Sequence, residues 1–211
     1  MALVAAVWLA LLGLTLALSW LAAAHDTLPG DVAIATRAQD LPFPGEPLSD
    51  AVRAITATEA VLATGAAVAL LLWLRGYRRQ AALLAAGLVI LPLTQYAVKE
   101  IVDRPRPDPE LVELRASFSS PSFPSGHVMS GAYLYGFLLY LAASIPLPPL
   151  GRWAVGLTAS AVLALSGPAN VYLGVHWPSD VLGGYAWALL LLVAAFAADR
   201  FPAGRLAGRF P

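Results

Sequence analysis

The chain has 211 residues, of which 59% are apolar and only 12% charged, far from the balance of a soluble domain. Its 13 basic and 13 acidic side chains cancel, which leaves no polybasic surface for nucleic acid or for electrostatic docking on a membrane. It has no cysteine, so a disulfide framework and a thiolate metal site are both excluded, and the redox compartment is left open.

Apolar stretches of roughly 20 residues, enough to cross about 30 Å of hydrocarbon, occur six times along the chain. They predict an all-α integral membrane bundle of six transmembrane helices, folded as one domain over residues 1–211. The spans run from about Ala2 to Ala23, Ile55 to Leu74, Ala81 to Val98, His127 to Ile145, Trp153 to Leu173 and Val181 to Ala198. The first is also open to reading as a secretory signal, with small residues for cleavage. Its missing basic n-region and long apolar core favour an uncleaved helix. Residues 1–53 then form the first helix and a polar outer loop, and residues 54–211 the core helices.

Orientation follows from arginines in the short connections. Arg75, Arg78 and Arg79 follow the second span, Arg152 the fourth, and Arg200, Arg205 and Arg209 the sixth. If the helices alternate, all lie on one side, which is expected to be cytoplasmic. The opposite, external side receives the Asp26–Arg53 loop, the segment from Glu100 to Pro124, and the turn around His176.

Three stretches carry polar groups at membrane ends. In "KEIVDRPRP", Lys99, Arg104 and Arg106 read either as interfacial anchors or as an anion clamp. Lys99 is the only lysine of the chain, where mere anchoring would be expected to use arginine like the rest. In "FPSGH", proline and serine mark a helix N-terminus, whose free N–H groups and positive dipole end attract anions. Ser125 and Gly126 there form a candidate phosphate cradle beside His127, or a simple cap. In "VYLGVHWPSD", Asp180 follows His176 by four residues, a spacing at which a carboxylate can hold an imidazole N–H, in a structural pair or a catalytic one. Alternation puts all three on the same face, where they supply a nucleophile, an acid and a positive clamp. None adds a carboxylate cluster of the kind that holds magnesium or calcium, so the expected chemistry uses neither metal nor cofactor.

In order and spacing these stretches resemble the signature of the phosphatidic acid phosphatase type 2 superfamily of membrane lipid phosphatases. Lysine, six residues, arginine, proline falls on Lys99, Arg106 and Pro107. Pro-Ser-Gly-His falls on Pro124 to His127. The third motif, serine, arginine, five residues, histidine, three residues, aspartate, matches at His176 and Asp180, while its serine and arginine positions hold Ala169 and Asn170. The resemblance implies that His176 attacks phosphorus to form a phosphohistidine, that Asp180 orients it, and that His127 protonates the leaving oxygen and then activates water. Lys99, Arg106, Ser125 and the Gly126 N–H would bind the phosphoryl oxygens. Asn170 would donate a neutral hydrogen bond in place of the motif arginine, with Arg104 as a secondary candidate for the same role.

The expected activity is metal-independent hydrolysis of a lipid phosphate or diphosphate at the outer membrane face. The expected partners are that lipid and the bilayer, with no nucleic acid. The alternative is a family member, impaired by the change at Asn170, that binds or transports lipid phosphates. On the first reading, Asn170→Arg with Ala169→Ser is expected to raise turnover.

Overall fold

The computed structural model describes residues 2–200 other than Ser117; the basic side chains of Arg205 and Arg209 lie outside the described residues. Among the described residues eight helices follow one another: α1 (Ala2–Ala24), α2 (Asp31–Asp40), α3 (Glu46–Thr56), α4 (Thr58–Leu74), α5 (Arg78–Val102), α6 (Gly126–Ser144), α7 (Pro149–Tyr172) and α8 (Pro178–Arg200). Among the described residues there are no strands.

α1, α5, α7 and α8 are each long and apolar enough to cross a membrane, and α3 with α4 makes a fifth candidate, bent by 53° at Ala57. Their large side chains point outward: Leu14, Leu74, Val89, Leu93, Ile101, Leu157 and Leu182 are all exposed. Such an apolar exterior suits lipid and not water. Of the six expected spans, only α6 falls outside this group. The reason is its position. Every residue from Val128 to Tyr135 is buried, because α6 packs against α3, α4, α5, α7 and α8. Sheathed by protein, it carries glycine, serine, tyrosine and histidine that a lipid-facing helix would not, and these lower its mean hydropathy.

The expected polar loop from Asp26 to Arg53 holds two short helices. α2 starts after Gly30, whose φ of 94° suits glycine, and carries Asp31 in its first turn; α3 starts after Gly45 with proline in its first turn. These are ordinary helix-start signals. α3 buries Ser49, Val52, Arg53 and Thr56, a face at helical spacing made mostly of polar side chains.

Two packing devices position the site. At Pro168 the α7 ladder is interrupted, and the Tyr185 hydroxyl of α8 enters the gap, donating to Leu163 O and accepting from Gly167 N. The α7 and α8 axes are thereby tied just inside the membrane end. On α8, a Cβ at Gly183 would stand 2.3 Å from the Phe123 ring, and one at Gly184 would stand 2.8 Å from Ser125 O. Only glycine lets α8 approach the start of α6 this closely.

The core centres on Leu84, Leu88 and Leu91 of α5, Met129, Tyr133 and Phe137 of α6, and Ala188 and Leu192 of α8. Within it, Gln95 donates to Ser130 Oγ at 2.7 Å and to Gly126 O at 3.1 Å, while Thr58 and Ser130 hydroxyls lie 3.0 Å apart. This polar chain joins α4, α5 and α6. The far end of the bundle is closed separately, by Asp199 accepting from Gln80 and Tyr140.

Candidate active site

The C-terminus of α5, the N-terminus of α6 and the turn between α7 and α8 meet at one end of the bundle, and the 103–125 segment folds over them. Gly174 shows how closely that segment lies: its φ is 67°, and a Cβ there would stand 2.1 Å from Glu113 O. The three predicted motifs are therefore brought together.

His176 lies in the α7–α8 turn and is only 2% exposed. Its Nε2 is 3.3 Å from Arg106 Nη1. A guanidinium can only donate, so this nitrogen is the unprotonated one and Nδ1 carries the hydrogen. Nδ1 lies 3.7 Å from Asp180 Oδ2, beyond hydrogen-bond reach, and 3.5 Å from Ser122 Oγ, which itself donates to Asp180 Oδ2 at 2.5 Å. The serine hydroxyl thus sits between imidazole and carboxylate. Burial pushes the His176 pKa down to about 4 against the pull of Asp180, helped by the positive charge of Arg106. At neutral pH the ring is an uncharged base with its free nitrogen toward Arg106.

Asp180, in the first turn of α8, is fully buried and accepts also from Trp177 N at 2.8 Å and Arg104 Nη1 at 2.7 Å. Arg104 is 1% exposed, and its other end bonds Asp31 Oδ2 at 2.8 Å. Asp31 in turn receives Ser179 N and Oγ at 2.9 and 2.6 Å. Arg104 is neither an interfacial anchor nor free to reach a phosphate: it is the centre of a buried acid–base–acid bridge behind the carboxylate. Such bridges hold only when every partner is present.

Lys99 donates to Pro121 O. Arg106 donates to Ser120 O, Ser120 Oγ and Val175 O at 2.8, 3.0 and 2.7 Å. Both cations are aimed by neutral oxygens. A third, Arg53 of α3, reaches in from the other side and donates to Asn170 Oδ1, while Asn170 Nδ2 donates back along α7 to Ser166 O at 2.7 Å. Phe118 lies among them, with the Arg53 and Arg106 guanidinium carbons 4.8 and 5.0 Å from its ring centre and the His127 ring edge-on at 6.4 Å. Among the described residues no carboxylate comes within 4 Å of Lys99, Arg106 or Arg53.

α6 begins as the proline and serine predict. Ser125 is its N-cap residue, but its side chain makes no cap; Oγ is buried and has no partner among the described residues. Gly126 and His127 occupy the first turn, and Gly126 faces the Lys99 side chain, with Cε 4.0 Å from where a Cβ would be. An orphaned hydroxyl, free helix N–H groups, cations without carboxylates and a neutral imidazole are together suited chemically to hold an anion beside a nucleophilic nitrogen. Among the described residues no group of three His, Cys, Asp or Glu stands together as a metal site would require.

Sequence reasoning missed Ser122, Asp31 and Arg53. Ser122 stood in a serine-rich segment with nothing to single it out, and the other two stood in what read as a solvated loop.

Comparison with known proteins agrees with this geometry. Phosphatidylglycerophosphatase B of Bacillus subtilis (strain 168) is 39% identical over 100 residues, 47% of this chain and 48% of that protein. The chain thus aligns with about half the length of that curated relative. The crystal structure of the first transmembrane PAP2 type phosphatidylglycerolphosphate phosphatase from Bacillus subtilis superposes with a TM-score of 0.74 at 28% identity, covering 93% of this chain and 98% of that one. The PAP2 superfamily model matches residues 80–201, a stretch that contains every motif residue, and the chain belongs to that superfamily.

Proposed function

We propose that the protein is a lipid phosphatase that hydrolyses a phosphate or diphosphate headgroup through a phosphohistidine on His176. It works as a single membrane domain of six spans, with α6 as the sheathed one and the site at the external face. The observation that carries this reading is the neutral His176 Nε2 facing an anion site whose cations lack carboxylate partners. Lys99, Arg53, Arg104 and Arg106 bring four positive charges against Asp31 and Asp180, and the two left over match a phosphate dianion.

His176 Nε2 attacks phosphorus, the ester P–O bond breaks, and His127, which takes up a proton when the substrate anion is bound, gives its hydrogen to the leaving lipid oxygen. Water then attacks the phosphohistidine with His127 taking its proton, the P–N bond breaks, and inorganic phosphate leaves. Ser122 and Asp180 hold the imidazole through Nδ1 and stabilise the positive ring that forms. Lys99, Arg106, Ser125 Oγ and the Gly126 N–H hold the equatorial oxygens, where transition-state charge accumulates. The named activity of the Bacillus relatives makes phosphatidylglycerophosphate the first substrate to try.

The test is phosphate release by the detergent-solubilised full chain from phosphatidylglycerophosphate, phosphatidic acid and undecaprenyl diphosphate, with and without chelator. Release that survives chelation, is blocked by vanadate and is lost in His176→Ala is expected, as is an acid-labile phosphoenzyme. A chelator-sensitive activity indifferent to His176→Ala refutes the mechanism. Binding of these lipids without release favours a carrier or binding protein instead. Impermeant labelling of single cysteines in intact cells tests the orientation: residues in the 108–120 loop should react and position 78 should not.

A further inference from the structure

We propose that Arg53, far outside the three motifs, is a phosphate-binding residue of this site, held in place by Asn170. The proposal rests on the phosphatase reading above.

Four observations converge. First, Arg53 is 7% exposed, and an arginine is rarely this buried without an anionic partner. Second, the partner it has is neutral: Nη1 bonds Asn170 Oδ1, and no other nitrogen of its guanidinium has a hydrogen-bond partner among the described residues. A guanidinium carries five N–H donors in a rigid fork suited to phosphate oxygens, so most of this one is uncommitted. Third, its carbon lies 4.8 Å from the Phe118 ring centre, and that ring also touches Arg106 and His127. Its charge is therefore felt by the same groups that surround His176 Nε2. Fourth, Asn170 is committed elsewhere. One of its two amide hydrogens goes to Ser166 O and its oxygen accepts from Arg53, so its carbonyl end orients a cation.

The position that holds arginine in the resembling motif thus holds a short amide whose oxygen receives an arginine from α3. A guanidinium is supplied to the same corner of the site from a different helix. This reverses the expectation for Asn170→Arg, which puts two guanidiniums face to face with no carboxylate between them. That variant should lose activity, and removing Arg53 as well should restore it.

The experiment measures vanadate inhibition, vanadate-induced thermal stabilisation and lipid-phosphate turnover on the full chain in detergent. Arg53→Gln should weaken vanadate binding and lower kcat/KM by about 10- to 100-fold, the loss of one charge-assisted contact. Arg53→Lys should fall between it and wild type. Asn170→Arg should be weaker than wild type, and Arg53→Ala with Asn170→Arg should recover vanadate affinity to within about tenfold of wild type. Vanadate affinity and turnover within about twofold of wild type in Arg53→Gln overturn the proposal. Should Arg53→Gln not fold, the double variant decides, and absence of vanadate binding by that variant overturns it. A wild-type chain that neither binds vanadate nor releases phosphate overturns the phosphatase reading and this proposal together. A wild-type chain that does both while Arg53→Gln is unaffected overturns this proposal alone.

Discussion

The most informative single substitution beside His176 is Ser122→Ala. Ser122 Oγ lies 3.5 Å from His176 Nδ1 and 2.5 Å from Asp180 Oδ2, and the two principals are themselves 3.7 Å apart. The hydroxyl can accept from Nδ1–H while donating to the carboxylate, so it carries the orientation of the ring. Removing it deletes a hydrogen bond to a charged acceptor, worth about 1.5 to 3 kcal/mol. If that bond serves the imidazolium in the transition state, kcat should fall by roughly 10- to 150-fold. The change removes one oxygen from a fully buried site, and the Ser122 N–H keeps its bond to Arg104 O at 2.8 Å, so the backbone is not disturbed. The assay is steady-state phosphate release, with vanadate affinity measured in parallel. A drop in kcat with little change in vanadate affinity is expected, because the anion-binding groups are untouched. Turnover within about twofold of wild type would show that Asp180 holds His176 directly and that the serine is a bystander.

Two further outcomes follow from the buried charges. His176 titrates near 4 when folded against about 6.5 when unfolded, so the unfolded chain takes up the extra proton and stability should be lost as pH falls from about 6.5 toward 4; thermal unfolding in detergent should show this loss diminished in His176→Gln. Arg104→Met leaves Asp31 and Asp180 buried without their shared cation and should destabilise by about 3 to 5 kcal/mol, whereas Arg104→Met with Asp31→Asn should recover part of that loss in the same assay.

The motif residues were legible because they contradict their surroundings. A histidine, a lysine or an aspartate at the end of a 20-residue apolar run is costly unless used, and alternation of the spans puts Lys99, His127 and His176 on one face without further information. The start of α6 was legible from proline and serine alone. The count of spans was less so, because hydropathy reports contact with lipid and α6 meets protein on all sides. α2 and α3 escaped notice for a related reason: the buried face of α3 is Ser49, Val52, Arg53 and Thr56, and a polar buried face has no apolar period. Asp31 and Arg53 are recognisable only by what they touch, 73 residues away for Asp31 and Arg104 and 117 for Arg53 and Asn170. The contact of Asn170 with Arg53 escaped notice on the same account, since that partner could not be guessed from its neighbours in sequence.

The bridge from Asp31 through Arg104 to Asp180 bears on how portable the motifs are. α1 turns most of its surface outward and buries only Thr15, Ser19 and Ala22, which makes it look dispensable. Yet it leads within a few residues into Asp31, and the same N-terminal part supplies Arg53; both precede residue 80, where the superfamily match begins. A chain trimmed to the matched stretch would keep every signature residue and lose a counterion and a cation from the site. Grafting the three motifs onto another helical scaffold would meet the same deficit, because the signature leaves out Asp31 and Arg53, which bond Arg104 and Asn170 behind and beside it.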